Sequence, residues 1–182
     1  MSCLIFDLIG LSSTPMQNLS QYIDQFNAFI GKSVSWLSLV LVLVIIGDVA
    51  LRYTLGVTSS ASFELEWHLF AILFLLSSGW ALQRDKHVRV DVFYQRFSDK
   101  QKAWVNMIGC AVLLIPMCAV GVIEGFQFAD NAYKMGETSA DPGGLPARFV
   151  IKAALPAGFF LLGLQGISEI LKNTKVIIEK NE

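Results

Sequence analysis

The ionisable side chains that could do chemistry collect at the ends of apolar runs. Two carboxylates, Glu64 and Glu66, open a nearly uncharged stretch from Trp67 to Leu82. It closes in a cluster of mixed sign: Arg84, Asp85, Lys86, His87, Arg89 and Asp91. A haem would look first to His68 and His87 for axial ligands. They lie 19 residues apart on one helix, about 28 Å along its axis, so they cannot share a metal or a haem. Cys3, Cys110 and Cys118 form no C-x-x-C pair, and the last two stand about 12 Å apart along one helix, too far for a bridge. No Ser/His/Asp arrangement, phosphate loop or H-E-x-x-H motif is present. The expectation is no enzyme activity, no catalytic residue, no metal and no cofactor.

What remains for these side chains is ion pairing or contact between subunits. Asp48 and Arg52, spaced i,i+4, share a helix face and can neutralise each other. They can equally engage a partner chain, or the Glu64/Glu66 pair across the short connection that follows. Glu64, Glu66, Arg84, His87, Arg89 and Asp91 complete this candidate set.

Such segregation of charge makes sense in a membrane, where a charge is expensive in hydrocarbon and welcome at either water boundary. The composition agrees: of 182 residues 54% are apolar and 16% charged, with a mean hydropathy of +0.54. Four runs, at about 34–53, 65–82, 103–126 and 147–171, approach or exceed the ~20 residues that a ~30 Å hydrocarbon core requires. Upstream, Leu19, Tyr22, Ile23, Phe26, Phe29 and Ile30 recur at helical spacing, opposite Gln17, Asn18, Gln21, Asp24, Gln25 and Asn27. That pattern predicts an amphipathic helix suited to the membrane interface, or to packing on a partner.

The expected fold is therefore an all-α integral membrane protein, four transmembrane helices preceded by an amphipathic interfacial helix. The expected division is an N-terminal segment 1–33, a four-helix membrane domain 34–171 and a polar, frayed cytoplasmic tail 172–182. Ser77-Ser78-Gly79 and Gly121-x-x-x-Gly125 thin their helices for close approach. Pro116 predicts a kink in the third span, and Ser98 with Gln101 forms a capping box before it.

A net charge of −1 and the lack of a basic stripe interleaved with aromatics give no support to a nucleic-acid partner, and none is expected. With four spans, Lys32, Arg84, Lys86, Arg89, Arg96, Lys100, Lys102, Lys172, Lys175 and Lys180 share one side. Arg52, Lys134, Arg148 and Lys152 share the other. The positive-inside rule then places both termini in the cytoplasm.

Arg52 closes the first span and Glu64 opens the second. His87-Val88-Arg89-Val90-Asp91 follows, and the fourth span contains Leu155-Pro156-Ala157-Gly158-Phe159. This order, over about residues 30–171, resembles the small membrane subunit (DctQ type) of tripartite ATP-independent periplasmic (TRAP) transporters. The family often carries adjacent acidic residues before its second span. Here Leu65 separates Glu64 from Glu66, and spacing to His87 favours Glu64 for the family role.

The resemblance implies an accessory scaffold subunit in the bacterial inner membrane, beside a large permease subunit and among membrane lipids. It further implies a periplasmic binding protein that delivers an organic acid, of the carboxylate or sialic-acid class, for sodium-driven uptake. Two other readings stay open: a self-sufficient four-span exporter with Asp48 as coupling acid, and a membrane anchor of a redox complex.

Overall fold

A computed structural model describes residues 15–84 and 97–179, whose regular elements are all helical. Helices α1 (Pro15–Ser35) and α2 (Leu37–Leu55) follow one another with only Trp36 between them. The chain returns in α3 (Ser60–Gln83). Next, α4 (Asp99–Ile108), a π-helical turn (Gly109–Leu114) and α5 (Ile115–Lys134) follow without a gap, and α6 (Phe149–Glu179) completes the bundle. Four stretches, Pro15–Leu55, Ser60–Gln83, Lys100–Lys134 and Phe149–Ile178, are long and apolar enough to cross a membrane. The chain is an all-α membrane protein.

Local signals set the boundaries. Gly56, at φ 62°, closes α2 in the left-handed conformation that glycine adopts without penalty. Ser59 caps α3, its hydroxyl accepting from the Ser62 N–H. The Ser98 capping box forms in both directions: the Ser98 N–H donates to Gln101 Oε1 at 2.9 Å, and the Gln101 N–H donates to Ser98 Oγ at 3.4 Å. The disruption expected at Pro116 takes the form of a widened turn. Proline has no N–H and crowds the carbonyl four residues back, and just before it the Ile115 N–H donates to Cys110, five residues back.

Helix α6 is the hub, packing against α1, α3, α4, the π turn and α5. Small residues make this possible. A Cβ on Gly158 would come within 2.8 Å of the Leu75 carbonyl oxygen, so α3 and α6 touch backbone to backbone there. Gly121 lies under the Phe159 ring and Gly125 against Pro156, which seats α5 on α6. Leu82, Cys118 and Leu162 form the small buried core, flanked by Leu114 and Phe159. Helix α2 is peripheral: it packs on α3 and on the adjoining end of α1, and only Asp48 is buried along it.

Two features depart from the simple pattern. In α1 the apolar stripe faces outward, with Leu19, Tyr22, Phe26 and Phe29 exposed, while Ser20, Asn27 and Gly31 are buried against the bundle. This is the reverse of a helix in a soluble protein, and it suits a helix whose outer face meets lipid or an apolar partner. The polar tail also proves ordered through Glu179. Ile177 is buried and the Thr174 hydroxyl lies 3.6 Å from Met107 Sδ, so packing on α4 continues the helix past Lys172. The expected fraying thus does not apply to residues 172–179.

Candidate functional site

The bundle has two polar layers. The first centres on Glu64, in the first turns of α3, where only 2% of the residue is exposed. Its Oε1 accepts from the Ser139 hydroxyl and from Arg148 Nη2 at 2.8 Å, and its Oε2 accepts from the Leu145 N–H at 2.6 Å. The loop supplying these donors is folded for the task. Ser139 donates its N–H to the Leu145 carbonyl, the Arg148 N–H donates to the Glu137 carbonyl, and Ser139 Oγ accepts the Asp141 N–H. Ala147 adopts φ 61°, a conformation uncommon outside glycine, immediately before Arg148. At Gly144 any Cβ would collide with Ser139 and come within 2.9 Å of Glu64 Oε2, so the backbone can close on the carboxylate only without a side chain. Beside this knot, Lys152 Nζ meets Glu137 Oε2 at 2.5 Å and sits 3.9 Å above the Phe128 ring. The Arg148 guanidinium lies 5.8 Å from the Trp67 ring centre.

A carboxylate with three donors, one of them a guanidinium, is neutralised and occupied. It is poorly placed to move a proton and well placed to staple the α5–α6 loop to α3.

The second layer lies at the other end, where α1 crosses α3 and α6. Asp24 Oδ1 accepts from Gln165 Nε2 and Ser168 Oγ, both at 2.8 Å, and Asp24 Oδ2 pairs with Lys172 Nζ at 2.7 Å. Lys172 also reaches Glu169 at 2.9 Å. Asn27 Nδ2 donates to Gln165 Oε1 and Gln83 Nε2 to the Asp24 carbonyl, and the Ser20 carbonyl oxygen lies 3.2 Å from Ser168 Oγ as a second, longer acceptor for the one hydroxyl proton. Gln165 and Ser168 are completely buried. From Glu64 to Gln83 along α3 is about 28 Å, so the two layers are separated by one hydrocarbon thickness.

The residues singled out from sequence are not gathered into one site. Asp48, buried, pairs with half-exposed Arg52 at 2.5 Å, within α2. Glu64 is joined to Arg148 instead. Glu66, two residues beyond Glu64, lines a shallow apolar groove with Leu41, Ile45, Phe63, Trp67 and Phe70. Arg84 caps α3 with its guanidinium 5.4 Å from the Trp80 ring centre. His87, Arg89 and Asp91 lie outside the described residues. His68 Nδ1 sits 2.5 Å from the Glu64 carbonyl oxygen, an intrahelical contact. Cys118 is buried among apolar neighbours. Among the described residues no three His, Cys, Asp or Glu side chains converge as a metal site would need.

Sequence reasoning missed Ser139, Arg148, Glu137 and Lys152 as partners, and it set Asp24 on the polar face of an amphipathic helix without naming a partner for it. A signal was available. Glu64 and Glu137 fall at the same end of the spans as Arg148 and Lys152, and Gln165 stands alone inside an apolar span, where a buried amide needs a partner.

The sequence model of the family described as "Tripartite ATP-independent periplasmic transporters, DctQ component" matches residues 41–176. No curated protein and no solved structure gives a match.

Proposed function

The chain belongs to the DctQ family, the small membrane subunits of TRAP transporters, and on that premise we propose that it serves as a scaffold without a transport site of its own. The family is one of transporter subunits, not of enzymes. The observation that carries the scaffold reading is where the polar groups go. Glu64 and Arg148 satisfy each other at one end, and Asp24, Gln165 and Lys172 do so at the other. Asp48 is held by Arg52, which disfavours its use as the coupling acid of a self-sufficient exporter. Among the described residues the buried carboxylates Asp48 and Glu64 are both paired, and the bundle offers a partner wide apolar faces on α1, α2 and α5.

In this reading a large permease subunit carries the solute beside the small one, and a periplasmic binding protein delivers it. The solute is an organic acid of the carboxylate or sialic-acid class, and a sodium gradient drives uptake. Both termini lie in the cytoplasm of a bacterial inner-membrane protein. Asp48, Arg52, Glu64, Glu66, Arg84, His87, Arg89 and Asp91 serve as boundary ion pairs or subunit contacts, not as reacting groups.

The test is reconstitution. The chain, the large subunit encoded with it and the matching binding protein should together give sodium-dependent uptake in proteoliposomes, and the chain alone should give none. Flux through the chain alone would overturn the scaffold reading.

A further inference from the structure

Helix α5 buries one seam, Cys118, Gly125, Ala129 and Ala132, against α6. At 100° per residue, Glu124, Gln127 and Asn131 fall on the opposite face, and all three are exposed. The same face continues inward through the exposed, apolar Val120, Met117 and Leu113.

The depth of Glu124 is what makes this unusual. Its neighbour Gly125 packs on Pro156, eight residues beyond Arg148 along α6. That places Glu124 about 12 Å inward of the Glu64–Arg148 layer, within the hydrocarbon zone. A carboxylate facing lipid at that depth costs several kcal/mol, and such residues are found facing protein or water instead. Nothing among the described residues relieves it. Among the described residues the side chains of Glu124, Gln127 and Asn131 have no hydrogen-bond or ionic partner. All four cations of that side are engaged elsewhere: Arg52 with Asp48, Lys134 with Asp130, Arg148 with Glu64 and Lys152 with Glu137.

Resting on the subunit reading above, we propose that this face of α5 is the surface that meets the large permease subunit. It receives a membrane helix of that subunit carrying an arginine or lysine level with Glu124, amide-pairing residues toward the outer surface and apolar residues inward. A second copy of this chain is a poor occupant, because a two-fold centred here would set Glu124 against Glu124.

The chain is co-expressed with the tagged large subunit encoded beside it and purified in detergent. A photo-crosslinking residue at Val120 or Gln127 should give an adduct with the large subunit. The same residue at Phe74, exposed on α3, should not. Glu124→Lys should lower the recovered small subunit at least about tenfold, since like charges juxtaposed at an interface cost several kcal/mol. Glu124→Gln, which keeps the hydrogen-bonding capacity, should retain most of it. Adducts from Phe74 alone, adducts only between two copies of this chain, or undiminished recovery of Glu124→Lys would each overturn the assignment. The crosslinks are read in the native-charge background, so they stand even if Glu124→Lys does not fold. If the unaltered chain fails to copurify at all, the subunit reading itself falls, a result distinct from copurification through another face.

Discussion

Glu64 and Glu66 stand two residues apart yet on different sides of their helix, and that difference decides their roles. Glu64 points into the bundle, where a serine, a backbone N–H and Arg148 surround it. Glu66 points into a groove open on its outer side. Glu64→Ala should lower the thermal midpoint of the purified protein clearly, because it leaves a guanidinium at 26% side-chain exposure without its carboxylate. Glu66→Ala should stay within about 0.5 kcal/mol. Adding Arg148→Ala to Glu64→Ala should cost little more, a non-additivity that a double-mutant cycle by thermal unfolding would read. Spacing to His87 favours Glu64 of the two for the family role, and says nothing of what surrounds it. Its partners were not legible, because Ser139 and Arg148 lie 75 and 84 residues away and no local periodicity reports such pairing.

At the scale of elements, what the sequence reveals is governed by composition and what it conceals by faces. Apolar runs announced the spans, since only long unbroken helices satisfy their backbone in hydrocarbon. The direction of α1 was less readable: its stripe was evident, but a stripe alone does not say whether it faces protein or lipid. The decisive residues were Asp24 and Asn27, which find Gln165 on α6 and therefore turn the polar side inward. The glycines sort in the same way. Gly158 meets the Leu75 backbone, whereas Gly47, in the middle of peripheral α2, has open space where a Cβ would go. Gly158→Val should push α3 from α6 and cost about 2–3 kcal/mol, and Gly47→Ala should be neutral or stabilising by up to about 1 kcal/mol. Thermal unfolding of the two variants side by side checks both.

For the molecule as a whole, the polar layers give a vertical scale and the lysine and arginine distribution gives a sense of direction. Alkaline phosphatase fused after Gly143, in the α5–α6 loop, should be active in cells, because that loop is expected outside. The same enzyme fused after Glu179 should be inactive. The reverse pair of activities would invert the topology and, with it, the side of the membrane on which the Glu64 knot lies. The family likeness was legible from sequence because it rests on the order of boundary residues, which survives without any knowledge of contacts. The hub position of α6 was not, since its hydropathy resembles that of the other spans and only packing distinguishes it.

That hub carries a consequence in time. Helix α6 is the latest of these helices to leave the ribosome, yet α1, α3, α4 and α5 all lean on it. Until residues 148–172 have been synthesised, Glu64 lacks its arginine and Asp24 lacks its lysine. The earlier spans enter the bilayer before the helix that joins most of them, and the native arrangement can be completed only after α6 has been made.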